Sequence, residues 1–389
     1  MPQLPIYLDY NATTPCDPQV VETMLPYFTT QFGNAASRQH ALGWQAEEAV
    51  DYARQQVAAL IGADPTEVIF TSGATESNNL ALKGAVEMYA GKGNHIITCV
   101  TEHKAVLDAC KHLEKQGVAV TYLPVDEKGL INLEQLEAAI IPTTILIAIM
   151  YANNETGVVQ PVQAIGRIAK QHNILFFSDA TQAVGKIPVD VITDGIDIMS
   201  FSAHKLYGPK GVGALYVRRK NPRVRLIAQI DGGRHERGLR SGTLNVPGIA
   251  GFGKAAELCR LQLAAEGLRL GHLRDKLEGA FLQLEGVFIN GDREHRLPHV
   301  TNLAFQYVDG NALMLGFNKH IAVATGSACT SASMEPSFVL KALGLADELA
   351  RSSLRFSLGR FTTEEEIDYT IQKVSETVQT LRKLHPLNS

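Results

Sequence analysis

The sequence has few cysteines, no long apolar run and no excess of charge of one sign. Its five cysteines are odd in number and include no C-x-x-C pair, which argues against a disulfide framework and a structural zinc site. No apolar run is long enough to span a bilayer. The N-terminus lacks the basic region and apolar core of a secretion signal. These absences together predict a soluble, cytoplasmic protein with no membrane partner and no intrinsic metal.

Charge and composition exclude further classes. The 36 Lys and Arg nearly balance the 40 Asp and Glu, so nothing favours nucleic acid or an anionic membrane as a partner. Hydrophobic residues are 45% and charged residues 20% of the chain, values typical of a globular protein and not of a disordered one. A length of 389 residues exceeds one typical domain, so two domains are expected.

The middle of the chain alternates strand-like and helix-like segments. Several of the strand candidates are continuous apolar runs, as expected for strands covered on both faces. The pattern predicts an α/β fold around a mostly parallel seven-stranded sheet. The predicted strands are residues 68–71, 95–100, 119–123, 144–151, 174–178, 196–201 and 213–217.

After Gly248 a long helical stretch appears and the pattern changes. Short strands at 287–290, 300–306, 321–324 and 354–358 mix with helices at 336–343 and 364–384, and Thr363 with Glu366 has the spacing of a capping box. This mixture predicts a smaller α+β domain. We therefore expect a large domain over residues 14–260, and a small domain built from residues 1–13 and 261–389 that carries Cys329.

Four loops of small and polar residues are candidate site segments, each expected at the carboxyl end of a strand, where α/β sheets bind ligands. The first, residues 71–79, follows a strand and opens a helix. Its small residues and helix N–H groups suit a phosphate. The same residues are also typical of an ordinary helix N-cap, so the loop alone leaves both interpretations open.

Two further loops contain a charged residue at the end of an apolar strand. Asp179 follows such a strand and needs a cationic partner, such as a protonated pyridine nitrogen, if it is not simply a helix N-cap. Lys205 follows the next strand, and burial or nearby cations favour its use as a Schiff-base lysine. Lys205 is preferred over Lys210, which lies in a Gly-Pro turn.

The fourth loop, residues 324–333, consists almost entirely of small residues around Cys329. Such a loop lacks an apolar anchor, and we expect it to be mobile. A cysteine there is a poor structural choice and a good nucleophile, although an incidental surface thiol is the alternative. Taken together, a helix terminus for a phosphate, an acid for a pyridinium and a lysine for an aldehyde indicate pyridoxal phosphate.

The order of these motifs and the residues in them resemble those of the cysteine desulfurases, which are fold-type I enzymes with an aminotransferase-like large domain. The likeness is greatest to the housekeeping type that supplies iron–sulfur cluster assembly. It runs from residues 7–14, through Ser-Ala-His-Lys at 202–205 and Gly-Ser-Ala-Cys-Thr-Ser at 326–331, to residues 353–360 and 364–368. It therefore covers nearly the whole chain.

The resemblance implies a role for each matching residue. Lys205 resembles the lysine that binds the cofactor aldehyde, His103 the ring-stacking acid–base group, and Cys329 the thiol that accepts sulfur. Arg355 resembles the residue that binds the substrate carboxylate, and Asn154 is expected near both the substrate and the ring oxygen. The implied cofactor contacts are Ala74, Thr75, His103, Asn154, Asp179, Gln182, Ser202, Ala203, His204, Lys205 and Thr243.

The resemblance also implies a reaction and partners. Lys205 takes the Cα proton of L-cysteine, the Cys329 thiolate attacks the substrate sulfur, and alanine leaves while Cys329 keeps the sulfur as a persulfide. Thr243 is expected to reach the phosphate of the second subunit in a homodimer. An iron–sulfur scaffold, a tRNA-thiolation relay or both are expected to accept sulfur. Cys329 is also a candidate transient ligand of a 2Fe–2S cluster shared with a scaffold.

Three alternatives stay open at the level of the sequence. Selenocysteine lyase or cysteine-sulfinate chemistry uses the same scaffold, although Cys329 favours cysteine. An ordinary aminotransferase needs no such thiol. A non-catalytic binding protein that has kept the fold is disfavoured because Lys205, Asp179 and Cys329 are all present, and a yellow colour from absorption at about 410–420 nm would argue against it.

Overall fold

Seven strands form the larger sheet of the computed structural model, which describes residues 2–325 and 335–384. Their order in the sheet is β2-β8-β7-β6-β5-β3-β4, and all neighbours are parallel except the two pairs that involve β8. The predicted mostly parallel seven-stranded sheet is confirmed. The strands are β2 (Val68–Thr71), β3 (His95–Cys99), β4 (Ala119–Leu123), β5 (Thr144–Ala148), β6 (Leu175–Asp179), β7 (Ile198–Ser202) and β8 (Gly213–Val217).

Helices cover both faces of this sheet. Since successive strand residues point to opposite faces, neighbouring residues of one strand pack against helices on opposite sides. Val68 and Phe70 pack in a core with α3, α7 and the first half of α8, whereas Ile69 between them packs in a separate core with α4 and α5. This explains the continuous apolar runs. The helices are α1 (Pro18–Met24), α2 (Pro26–Thr29), α3 (Ala41–Leu60), α4 (Ala74–Tyr89), α5 (Lys104–Glu114), α6 (Leu133–Ala138), α7 (Val162–Gln171) and α8 (Val246–Phe281).

The C-terminal part contains a four-stranded antiparallel sheet in the order β12-β13-β10-β9, and β11 pairs with β1 from the N-terminus. Helix α12 begins with the predicted capping box of Thr363 and Glu366. The strands are β1 (Ile6–Tyr7), β9 (Val287–Ile289), β10 (Val300–Phe305), β11 (Ile321–Ala322), β12 (Ala324–Thr325) and β13 (Ser353–Ser357), and the helices are α9 (Gly310–Phe317), α10 (Phe338–Ala342), α11 (Asp347–Arg351) and α12 (Glu364–Lys383).

Helix α8 extends from one hydrophobic core to another. Its residues up to Cys259 pack with the large sheet, and those from Leu270 onward pack with the small sheet and α12. The boundary predicted at residues 260/261 therefore falls inside a continuous helix, and the division into two domains stays a prediction. No helix within residues 2–325 and 335–384 is long and apolar enough to cross a membrane.

Two predicted features differ from the structure. The strand predicted at 321–324 is two short strands in different sheets, β11 and β12. The segment carrying Cys329 therefore follows a strand of the C-terminal antiparallel sheet, whereas the other three candidate loops follow strands of the large sheet. The sequence pattern could not separate β11 from β12, because apolar residues continue through Val323 between them.

Candidate active site

A cavity of about 570 Å³ lies at the carboxyl ends of β2, β6 and β7. These ends meet because β2 and β7 are both antiparallel to β8 and so run in the same direction. The volume falls within the range of about 300–1,000 Å³ that is typical of small-molecule sites. The predicted site residues that line it are Ala74, Thr75, His103, Asn154, Asp179, Gln182, Ser202, His204 and Lys205.

Asp179 is the last residue of β6 and is 6% exposed. Its Oδ2 accepts a hydrogen bond of 2.8 Å from Asn78 Nδ2, and its Oδ1 accepts one of 3.0 Å from the Thr181 backbone N–H. Both donors are neutral. A buried carboxylate held in this way favours a positively charged group in the cavity, because charge burial is costly without a counter-charge.

The N-terminus of α4 forms one side of the cavity. Gly73 precedes the helix, and a Cβ atom on Gly213 would lie only 2.6 Å from the Gly73 Cα. This close approach of two backbones requires glycine at position 213 and leaves the first-turn N–H groups of α4 at the cavity. With Ala74 and Thr75 lining the same side, the geometry suits a bound phosphate.

An acidic side chain in this first turn is offset by an arginine. Glu76 lines the cavity and accepts a hydrogen bond of 2.9 Å from Arg240 Nε. Burial opposes its ionisation, but hydrogen bonds from Ser72 and Arg240 outweigh this effect and lower the pKa of Glu76. Arg240 therefore reduces the repulsion that an ionised Glu76 would exert on an anion at the helix terminus.

His204 also lines the cavity and is neutral at physiological pH. Burial, together with the charges of Lys205 and Lys210, lowers the pKa of His204 to about 4. Its Nδ1 lies 3.1 Å from the Thr13 hydroxyl. A neutral imidazole can contribute a hydrogen bond to an anion but no charge.

Lys205 ends a short 3₁₀ turn (Ala203–Lys205) that follows β7. Its Nζ donates hydrogen bonds to the Asn11 carbonyl at 2.5 Å and the Ala12 carbonyl at 2.7 Å. Two residues on, Tyr207 has a left-handed backbone conformation with φ of 65°. The Tyr207 N–H donates to the Thr14 hydroxyl, so contacts with the N-terminal segment hold the loop in a conformation unfavourable for a non-glycine residue.

His103 caps helix α5 and lines the cavity. Its Nδ1 accepts a hydrogen bond of 3.1 Å from the Ala105 N–H. Neutral His103 therefore carries its proton on Nε2. The cap fixes the ring at the position where the sequence predicts an acid–base residue.

Asn154 and Gln182 meet at the N-terminal segment. The Asn154 carbonyl accepts hydrogen bonds from Asn11 Nδ2 at 3.1 Å and from Arg355 Nη1 at 2.7 Å, and Gln182 Nε2 donates to the Asn11 carbonyl at 3.0 Å. The Arg355 guanidinium also donates to Asp9 Oδ1. Arg355 thus lies behind Asn154 and does not line the cavity.

Three of the predicted site residues that the structure describes do not line this cavity, namely Arg355, Ala203 and Thr243. Ala203 is fully buried and does not line it, and Thr243 is exposed and away from it. Cys329, the predicted nucleophile, lies outside the described residues. Asn11, Asn78 and Glu102 are three further residues at or behind the site, and the sequence predicts no role for them. Asn11 and Asn78 belong to motifs that had been singled out, but a sequence gives no signal for long-range hydrogen bonds.

Glu102, next to His103, is a fully buried carboxyl behind the site. Its Oε1 accepts the Met150 N–H. Burial raises the pKa of Glu102 well above its ordinary value, and the nearby Asp179 adds to this effect. Glu102 is therefore harder to ionise than an exposed glutamate.

Glu155 is a second buried carboxyl near the site, and Ser337 Oγ donates a hydrogen bond to its Oε2. Burial raises the pKa of Glu155 to about 7, against opposing effects from Ser337, Arg355 and His103. The unfolded chain ionises this group near 4.5. The part of the free energy of unfolding that depends on Glu155 therefore has its full value below pH 4.5. It decreases as the pH rises to about 7, because the folded protein then has to ionise a buried carboxyl.

We expect Glu155→Gln to remove this loss. The variant should be as stable as the wild type at pH 4 and more stable at pH 8, by about 3 kcal/mol at most. Urea unfolding of both proteins from pH 4 to pH 8 measures the difference. Glu127→Gln, at an exposed position, is the matched control. A wild-type and Glu155→Gln difference that does not change with pH would contradict the prediction.

Comparisons with known proteins agree with this geometry. The family described as "Aminotransferase class-V" matches residues 6–370. The cysteine desulfurase IscS of Anaeromyxobacter dehalogenans (strain 2CP-C) is 58% identical over 386 residues, which cover 99% of this chain and 95% of the relative. The cysteine desulfurase IscS of Escherichia coli O9:H4 (strain HS) is 58% identical over 387 residues, with the same coverage.

Solved structures give the same result. A NifS-like protein has a TM-score of 0.91 and 39% identity, with 97% of this chain and 100% of that chain covered. A structure titled "SspA in complex with cysteine" has a TM-score of 0.82 and 38% identity, with 92% and 100% covered.

Proposed function

The chain belongs to the class-V aminotransferase family, and from that membership we propose that it is a pyridoxal-phosphate-dependent cysteine desulfurase that converts L-cysteine to L-alanine. The observation that carries the proposal is the 58% identity to proteins named cysteine desulfurase over 99% of this chain. Fold alone does not determine activity. A full-length match at this identity supports the activity as well as the fold.

The cavity fits pyridoxal phosphate. Asp179, which is held by neutral donors, would face the pyridine nitrogen, and the α4 terminus with His204 would hold the phosphate. Lys205 would bind the aldehyde, and His103 would lie against the ring. When bound, the cofactor supplies an electron sink that makes the substrate Cα proton acidic.

Different residues of this chain then act on different groups of L-cysteine. Lys205 accepts the proton from the substrate Cα, and His103 acts as the acid–base group for the proton of the substrate thiol. Asn154 and Arg355 hold the substrate carboxylate, a task that suits a planar bidentate donor. Arg355 adjoins Asn154 through the 2.7 Å bond to its carbonyl, which supports assigning the two residues to one subsite.

Cys329 takes the sulfur. Its thiolate attacks the substrate sulfur, so that an S–S bond forms while the substrate Cβ–S bond breaks, and the products are alanine and a persulfide on Cys329. Supporting this role, β12 pairs with β13 at Ala324 and Arg355. The segment that carries Cys329 therefore starts beside the proposed carboxylate subsite.

The partners and the location are also proposals. A homodimer is supported by five large apolar side chains that are at least 40% exposed within a short N-terminal stretch: Val21, Leu25, Phe28, Phe32 and Trp44. In that dimer, the exposed Thr243 reaches the cofactor phosphate of the second subunit.

An iron–sulfur scaffold or another acceptor takes the persulfide sulfur, with Cys329 as a transient ligand of a 2Fe–2S cluster. Free thiols at the four described cysteines support a cytoplasmic location.

Selenocysteine lyase or cysteine-sulfinate activity is the second candidate. The names of the relatives favour cysteine as the substrate, since both IscS proteins are called cysteine desulfurases. The presence of Cys329 agrees, because persulfide formation requires a thiol.

One experiment tests the proposal directly. The purified protein, loaded with pyridoxal phosphate, should absorb at about 410–420 nm and convert L-cysteine to equal amounts of alanine and sulfide under reducing conditions. The cofactor-free protein is the control, and L-selenocysteine and L-cysteine sulfinate are the competing substrates. Turnover of either competitor without turnover of L-cysteine would replace the proposal with the second candidate.

A further inference from the structure

Asn11 is a buried residue at the junction of the N-terminal segment, the cavity and the small sheet, with an exposure of 2%. Its side chain donates from Nδ2 to the Asn154 carbonyl at 3.1 Å, and its Oδ1 lies 3.0 Å from His299 Nε2. Its backbone N–H donates to Ser357 Oγ at 3.0 Å. Three bonds to residues distant in the sequence therefore fix both the side chain and the backbone of Asn11.

The hydrogen-bond directions around Asn11 are determined by its neighbours. A carbonyl such as that of Asn154 only accepts, so the amide nitrogen of Asn11 faces it and Oδ1 faces His299. Because Oδ1 also only accepts, His299 Nε2 carries a proton and donates. Burial lowers the pKa of His299 well below its ordinary value, so the ring is neutral and its Nδ1 has no proton.

The backbone of Asn11 faces the cavity on its other side. The carbonyls of Asn11 and Ala12 accept hydrogen bonds from Lys205 Nζ at 2.5 Å and 2.7 Å. A neutral amine has two N–H bonds and one lone pair. An amine that donates both N–H bonds to these two carbonyls has its lone pair fixed in the third direction, and only the lone pair can accept a proton.

We propose that the Asn11 and Ala12 carbonyls form a dock that orients the Lys205 amine for proton transfer at the substrate Cα, and that the Asn11–His299 hydrogen bond is the positioning contact that fixes this dock. In the transfer the C–H bond breaks, its electron pair stays on the substrate, and the proton converts the amine to an ammonium that later returns it. The inference rests on the proposed function and deepens it. Asn11 and His299 are positioning residues, because they act through Lys205.

Three variants separate the dock from general stability. Asn11→Ala removes the side-chain bonds and keeps the carbonyl, and His299→Leu removes the same bond from the other partner. His299→Gln retains an N–H donor at a similar reach. The glutamine loses no hydrogen bond of the second ring nitrogen, because His299 Nδ1 is buried without a hydrogen-bond partner among the described residues. Asn318→Ala, at an exposed position, is the matched control for loss of an asparagine side chain.

The first readout is exchange of the L-alanine Cα proton for deuterium in D2O by the cofactor-loaded enzyme, followed by NMR. L-Alanine has no sulfur, so this readout does not depend on Cys329. The second readout needs no cofactor. It is acylation of Lys205 by acetic anhydride in the full-length cofactor-free protein, measured by mass spectrometry against Lys111, whose side chain is 64% exposed.

We expect Asn11→Ala and His299→Leu each to lower kcat for exchange by about tenfold, the effect of one lost buried hydrogen bond, with a smaller change in KM. Both should raise Lys205 acylation relative to Lys111, whereas His299→Gln and Asn318→Ala should stay within about twofold of wild type in both readouts. If Asn11→Ala fails to fold, His299→Leu against His299→Gln decides. Wild-type values for either readout in the folded dock variants would overturn the inference. A wild-type enzyme without exchange would instead refute the proposed function, and acylation would still decide the dock.

Discussion

The Cys329→Ala variant is expected to make neither alanine nor sulfide from L-cysteine, with turnover at least about 10³-fold below wild type. The reason is that no other described thiol can take its place. None of the four lines the cavity. Burial raises the pKa of Cys99 and Cys110 to about 12 and also raises the pKa of Cys259 and Cys16, which leaves little thiolate at neutral pH.

Alanine and sulfide assays under reducing conditions measure this effect, and two controls define it. Cys16→Ala removes the described cysteine that is not buried and should leave both products at wild-type levels. Cys329→Ala should still exchange the Cα proton of L-alanine, because that step precedes sulfur transfer. Full activity in Cys329→Ala would show that this thiol is not the nucleophile, and a lyase acting on another substrate would then be the better interpretation.

The Lys205→Ala variant is expected to lose the absorption at about 410–420 nm and to slow Cα exchange by at least about 10³-fold. The residue is both the cofactor anchor and the base at Cα. Lys205 Nζ lies within hydrogen-bond distance of the Asn11 and Ala12 carbonyls at the cavity wall, and alanine leaves no basic group at that point.

Lys210→Ala is the matched control, since Lys210 also lines the cavity but lies in an exposed turn. It should retain the absorption band and measurable turnover. The measurements are the absorption spectrum of each variant after incubation with pyridoxal phosphate, and deuterium incorporation into L-alanine. Loss of the band in Lys210→Ala with its retention in Lys205→Ala would reverse the assignment of the cofactor lysine.

Local sequence patterns predicted the elements of this fold because strands and helices have different periods. Continuous apolar runs mark β3 and β5 as covered on both faces, and the structure buries every residue of both strands. The end of β5 was placed three residues too late, at Tyr151 in place of Ala148. Beyond Ala148 the chain still bonds to β6 residues, with Ile149 N–H donating to Phe177 and Tyr151 N–H to Asp179, so its pattern looks like a strand.

The same local logic identified the side chains at the cavity. A charged residue directly after an apolar strand lies at the end of that strand, so Asp179 and Lys205 were each expected at a carboxyl end, and both line the cavity. The register and the order of the strands then decided which strand ends meet at the cavity. The antiparallel insertion of β8 between β2 and β7 brings the α4 terminus beside Lys205, and no local pattern encodes that pairing.

By itself the sequence thus determined the α/β class and the cofactor chemistry, and it predicted the principal residues, because these depend on residue type and on spacing within one strand–loop unit. The tertiary structure alone decided what holds those residues. Asn11 is separated from His299 by 288 positions and from Lys205 by 194, yet it bonds to both. Contacts at such separations arise only when the chain packs, because a hydrogen bond between buried groups depends on distance in space and not on order in the chain.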